Sequence, residues 1–193
     1  MTRKQHGPRP SGPRIHPVGN PSAELQEIYA KSLLAADGGP LNIFSTLAHN
    51  PSVLKRFTHY AGYFLNKGVL PPREREIVIL RVGANCGSVY EFGQHTVIGR
   101  RVGLGDNEIE ALTLDPSAHS WSPRDAALIA MCDDLCADDC VSDAVWSRLR
   151  GHWNESELVE LVMVAGTYRL VSGFLNTMGV QLDEDVPGWP GAD

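Results

Sequence analysis

The sequence predicts an all-α protein, and three observations carry that prediction. Apolar residues recur at helical spacing, as at Val53, Phe57, Tyr60 and Phe64. Residues that start helices precede the apolar runs: Ser22, Asn50 or Ser52, Asp106 and Pro123 all stand at such positions. Glycine and proline then punctuate the chain, at Gly38-Gly39-Pro40, from Gly68 to Pro72, and at Gly103.

Residues 1–21 are rich in Pro, Gly and Arg and hold too little apolar surface to fold alone, so they read as a flexible or partner-draped arm. A helical domain over 22–182 follows. Ser22 caps its first helix, which opens at Glu24-Leu25. Leu41 to Leu65 is helical with an interruption at Asn50-Pro51. Arg73 to Ala84 contains Ile77, Val78, Ile79, Leu80 and Val82, a branched run that also suits a strand; its Arg-Glu-Arg-Glu opening favours a helix. Asn85 to Gly87 breaks the chain, and Ser88 to Arg101 resumes it. Further helices are expected over 106–112, 123–134, 143–150 and 156–175. An acidic tail, 183–193, with two prolines, completes the chain as irregular structure. A weak internal echo links Pro72-Arg73-Glu74 to Pro123-Arg124-Asp125, consistent either with two packed units or with convergent helix starts.

A chain of 193 residues that is 42% hydrophobic has enough length for a real core. A formal net charge of -6 argues against a broad nucleic-acid footprint. No apolar run suggests a membrane span, and the N-terminus has no apolar signal region, so a soluble cytoplasmic protein is expected. The four cysteines form no disulfide-dense pattern. Cys132, Cys136 and Cys140 recur every four residues, so a helix would align them. Without a second ligand pair they read as small buried side chains, and no metal is expected.

The stretch from Glu76 to His95 carries the chemistry. Ser88, Glu91 and His95 stand at i, i+3 and i+7 and share one helix face. A carboxylate one turn before an imidazole can hold its tautomer, and the two can act as a general acid and base if a pocket lies against them. The alternative is a solvated surface ion pair.

The run from about Leu47 to Leu112 resembles the carboxymuconolactone decarboxylase family, within a superfamily shared with alkylhydroperoxidase D-like proteins. The resemblance rests on Leu70-Pro71-Pro72-Arg73-Glu74-Arg75-Glu76, on Cys86-Gly87-Ser88-Val89-Tyr90-Glu91 with His95, and on Gly103-Leu104 before Asp106. Trp153 to Gly179 is similar to the tail of a long-chain branch. The resemblance implies an alkylhydroperoxidase D-like helical fold that is oligomeric, as a trimer or hexamer, and needs no cofactor. Its peroxidase members carry Cys-x-x-Cys-x-x-x-His with an earlier Glu. The matching positions are Ser88, Glu91, His95 and Glu76, so both redox thiols are missing. Cys86, displaced by two residues, cannot alone attack a peroxide and resolve the product. The decarboxylases share the Glu91/His95 spacing instead.

The resemblance therefore implies a cofactor-independent lyase (decarboxylase) or isomerase for a small acidic or lactone-like carbonyl compound, with His95, Glu91 and Glu76 as catalytic candidates. A peroxidase-like protein and a non-catalytic oligomeric helical module are the competing expectations. Cys86, Ser88, Tyr90 and Arg169 are candidates for substrate binding. Arg169 suits a carboxylate clamp, because guanidinium binds carboxylates bidentately, but it equally suits an ion pair. Tyr90 points about 100° away from Glu91 around the helix and also suits core packing. Cys86 sits where a helix N-terminus can lower a thiol's pKa, and it also suits a small buried hydrophobe.

Overall fold

The computed structural model describes residues 6–191; expectations for 1–5 and 192–193 lie outside them. The described residues form nine α-helices and a short 3-10 turn, and no strand. In order the helices are α1 Ala23–Tyr29, α2 Asn42–Leu47, α3 Pro51–Asn66, α4 Pro72–Asn85, α5 Val89–Arg101, α6 Asp106–Ala111, α7 Pro123–Asp138, α8 Asp143–Arg150 and α9 Glu155–Met178.

Helix α4 is the axis of the fold. Arg75 to Ala84 are all buried, because α5, α7 and α9 pack around it. A helix surrounded on every side has no polar face, which explains why its run of branched residues lacks a clear helical period. Ile77, Val78, Ile79 and Leu80 are fully buried with Leu128, Met131, Leu161 and Val164. Each such aliphatic side chain contributes about 1.5–3 kcal/mol by leaving water. A second cluster joins Leu25, Phe44 and Leu54 to Tyr90 and Leu175.

The two echoed helix starts lie side by side. Arg73 of α4 pairs with Asp125 of α7 at 3.1 Å, and Arg124 of α7 pairs with Glu74 of α4 at 3.3 Å. This reciprocal exchange ties the two N-termini together. Ahead of α4, the buried Glu160 carboxylate accepts the backbone N–H groups of Val69 and Leu70 at 2.9 and 3.2 Å, so α9 fixes where α4 begins.

Several boundaries differ from expectation. Helix α1 stops at Tyr29, well before Gly38, and turns follow to Pro40, closed by a Leu34–Pro40 bridge. Helix α7 runs to Asp138, where Asp139 caps it in the left-handed conformation (φ 57°). Val53 and Tyr60 face outward, since Leu54 and Phe64 are what α3 buries. By length and composition α9 could cross a bilayer, unlike the expectation that no segment approaches that limit. More than half of its apolar window is buried, as in the core helix of a globular fold.

Both ends of the described chain lie against the helices. The Arg14 N–H donates to Met178 O at 2.8 Å, and the Val18 N–H to Ser45 O at 3.0 Å. At the other end Trp189 packs on Phe92, with ring centroids 5.0 Å apart. The backbone at Pro187 passes so close to α5 that a Cβ on Gly93 would lie 2.3 Å from Pro187 O. Only glycine allows that approach.

Candidate active site

Glu76, in the second turn of α4, has no exposed surface. Its Oε1 accepts the Arg75 Nε–H at 3.0 Å. The same guanidinium donates to Phe64 O and Leu65 O, each at 3.3 Å, where the carbonyls of α3 end. Glu76 Oε2 lies 2.6 Å from His95 Nδ1, and Glu91 Oε1 lies 3.1 Å from His95 Nε2. The imidazole is thus held between a carboxylate of α4 and a carboxylate one turn back on α5. Tyr168 of α9 presents its ring edge-on to the imidazole, with centroids 4.9 Å apart.

The charges follow from this geometry. Burial alone would pull the His95 pKa down, but Glu76 and Glu91 outweigh it and push it up to about 9. At neutral pH the ring is an imidazolium. Burial would raise the Glu76 pKa, but His95 and Arg75 hold it below the ordinary carboxylate value. Burial, reinforced by Glu91 and Glu76, drives the Tyr168 phenol well above its ordinary value, so Tyr168 stays neutral.

Glu91 and His95 form part of the wall of a cavity of about 340 Å³. Leu41, Ile43, Phe44, Phe57 and Val171 supply its apolar surface; Gln94, Tyr90 and Tyr168 add polar groups, and Lys31 brings a cation. Glu76 is not part of the wall, so Nδ1 faces the protein interior and Nε2 is the nitrogen nearer the cavity. Asp183 braces one side. Its Oδ2 accepts the Tyr90 O–H at 2.5 Å and the Gln94 side-chain N–H at 2.6 Å, and its Oδ1 accepts the Asn42 backbone N–H at 2.9 Å.

Residues 51–134 match the model of the carboxymuconolactone decarboxylase family. That match spans less than half of the chain, and over those residues the chain is similar to the family. The uncharacterized protein YdfG of Bacillus subtilis is 26% identical over 92 residues, which are 47% of this chain and 63% of that protein, so less than two thirds of its length is spanned. Among solved structures, an uncharacterized peroxidase-related protein from Ralstonia eutropha JMP134, an alkylhydroperoxidase AhpD core, superposes with a TM-score of 0.74 at 22% identity, covering 88% of this chain and 92% of that one. Another from Silicibacter sp. TM1040 gives 0.78 at 17%, covering 94% and 97%. The debrominase Bmp8 gives 0.70 at 13%, covering 84% and 87%. At these identities the likeness is one of fold.

Within this fold, the structure brings together His95, Glu91, Glu76 and Tyr90. Glu76, rather than Glu91, holds Nδ1, so the two carboxylates have different partners on the ring. Tyr90 combines the two roles considered for it, packing in the second cluster and lining the cavity. Ser88 does not reach the cavity: it is the buried N-cap residue of α5, and its hydroxyl makes no hydrogen bond. Arg169 lies elsewhere, donating to Leu135 O at 2.8 Å and pairing with Asp139; it is no clamp, because its side of α9 faces α7. Cys86 caps α4 and packs against the main cluster, outside the cavity. Nor do the three regularly spaced cysteines form one buried set. Cys132 is buried and Cys136 half-buried, but Cys140 is exposed because α7 has already ended.

Sequence reasoning missed Asp183, Gln94, Tyr168 and Arg75. Gln94 and Tyr168 adjoin His95 and Arg169, and Arg75 lies in the charged run before Glu76. Asp183 carries no local signal, since its partners are from 89 to 141 residues away.

Proposed function

We propose that this protein is a cofactor-independent acid–base enzyme, a lyase or isomerase acting on a small acidic or lactone-like carbonyl compound. The observation that carries this reading is the buried chain Glu76–His95–Glu91, whose last two members line an apolar-walled cavity. A solvated ion pair would have no such wall, which weighs against a purely structural module.

In this reading His95 is the proton donor. Glu76 keeps the ring charged and oriented through Nδ1, and Glu91 holds the Nε2 proton beside the cavity. In a decarboxylation, the substrate carboxylate leaves as carbon dioxide and its electron pair passes into the adjacent carbonyl system. The Nε2 proton then quenches the carbanion, and neutral His95 regains a proton from water. Apolar walls favour the step by removing water from the departing carboxylate. Lys31, in the cavity wall, takes the anion-binding part once expected of Arg169.

A redox role, of the kind named for the peroxidase-related neighbours, is the alternative. It meets Ser88 and Glu91 where that chemistry needs thiols. Self-association belongs to the proposal as well, supported by the exposed Val159, Met163 and Leu170 along one helix. The test is to incubate wild type and His95→Ala with a metabolite extract and compare them by mass spectrometry. A small acid or lactone depleted by wild type alone supports the proposal. Depletion that is equal in the two proteins removes His95 from the chemistry.

A further inference from the structure

Among the described residues, four hydroxyl-bearing side chains border the cavity at His95: Ser32, Thr58, Tyr90 and Tyr168. Three have already spent their proton inside the protein. Ser32 donates to Ile28 O at 2.9 Å, Thr58 to Leu54 O at 3.0 Å, and Tyr90 to Asp183. The Gln94 amide is turned to the same Asp183. The Tyr168 hydroxyl has no acceptor among the described residues. Nor is it sealed in the core, as the unpartnered hydroxyls of Tyr29 and Ser88 are. Tyr168 is only 4% exposed, so its neighbours fix the ring. It stands in the main core cluster beside Val164 and Ala165 of its own helix, at 85° to the His95 ring. A polar group held this deep costs stability unless something completes its hydrogen bond, and here the remaining partner is whatever fills the cavity.

We propose that Tyr168 is the oxyanion donor of the site: its O–H donates to the substrate's carbonyl oxygen as that oxygen gains negative charge. The inference rests on the acid–base reading of His95 and adds a substrate requirement, a ketone or lactone carbonyl within reach of the Tyr168 hydroxyl. When the bond to the departing carboxylate breaks, its electron pair forms a carbon–carbon double bond and the carbonyl oxygen becomes an enolate oxygen. The Tyr168 O–H holds that oxygen without giving up its proton. The enolate then collapses to the carbonyl as carbon takes the Nε2 proton of His95. Tyr168 suits the part because burial, with the Glu91 and Glu76 charges, keeps its phenol protonated. A donor already fixed by packing needs no reorganisation when the charge develops.

The test needs no turnover and uses 4-nitrophenolate as an enolate mimic, with its uncharged methyl ether, 4-nitroanisole, as control. Full-length protein is titrated at mildly alkaline pH, where the probe is ionised and His95 is still charged. Wild type should bind the phenolate, and Tyr168→Phe should bind it about 10- to 100-fold more weakly, the worth of one hydrogen bond to a charged group. 4-Nitroanisole should bind both proteins alike, which a merely structural role for Tyr168 would not give. In wild type, proton NMR should show a strongly downfield hydroxyl resonance when the phenolate binds, a readout that does not depend on the variant folding. Equal phenolate binding by the two proteins, equal losses for both probes, or no phenolate binding by wild type would each overturn the proposal. If Tyr168→Phe loses the phenolate while wild type and His95→Ala deplete metabolites equally, the oxyanion site stands and the proton-donor reading of His95 fails. If wild type alone depletes a metabolite while Tyr168→Phe keeps the phenolate, the reverse holds.

Discussion

Glu76→Gln isolates the electrostatic part of the site. Glutamine keeps the shape of the side chain and an oxygen that can accept the Nδ1 proton, so the ring stays oriented while the charge is lost. His95 now titrates at about 9 against an ordinary 6.5, and Glu76 is the first of the two carboxylates that raise it. At about 1.36 kcal/mol per pH unit, the fold favours the charged ring by about 3 kcal/mol. Burial opposes that preference, so without the Glu76 charge His95 should titrate near or below neutrality. Imidazole titration by heteronuclear NMR reads this directly. Stability should follow with a definite sign. The His95 contribution is fully present below pH about 6.5 and is lost as pH rises through about 9. The Glu76 contribution is present above its ordinary value of 4.5 and is lost as pH falls through its lowered folded value. Wild type should therefore lose denaturant resistance between pH about 6.5 and 9, and Glu76→Gln should show little of that loss. A variant that folds while His95 still titrates near 9 would refute the role assigned to Glu76.

Four other outcomes are expected. On an identified substrate, His95→Ala should lose about 100-fold or more in kcat and Glu91→Gln somewhat less, with the double variant far short of the product of the two. Steady-state kinetics on variants whose folding is verified by circular dichroism measures this. Gly93→Ala should push the segment at Pro187 off α5, detected as faster proteolysis near the C-terminus and a red shift in Trp189 emission. Arg169→Ala should leave turnover unchanged and cost less than about 1 kcal/mol in urea unfolding, because its ion pair with Asp139 is largely exposed. Light scattering at micromolar concentration should give an oligomer; a stable monomer of full helicity would reject self-association.

The local signals were sufficient for the helices and for the ordering of the site residues along them. Ser22, Asn50 and Pro123 mark the starts of α1, α3 and α7 because capping and first-turn chemistry involve only near neighbours. The Glu91/His95 pair is legible for the same reason, since i, i+4 spacing fixes its contact within one helix. The end of α7 was harder to read, because Asp139 adopts a left-handed cap that glycine more often marks.

What the sequence by itself determined was the all-α class, most helix boundaries and a carboxylate–imidazole pair on one helix. Tertiary structure alone decided that Glu76 grips the other ring nitrogen, that Asp183 braces Tyr90 and Gln94, and that Arg169 turns to Asp139. Each of these contacts joins residues at least 19 positions apart. No helical or strand period encodes such a distance, because it depends on how α4 is enclosed by α5, α7 and α9 and on where the chain ends come to rest.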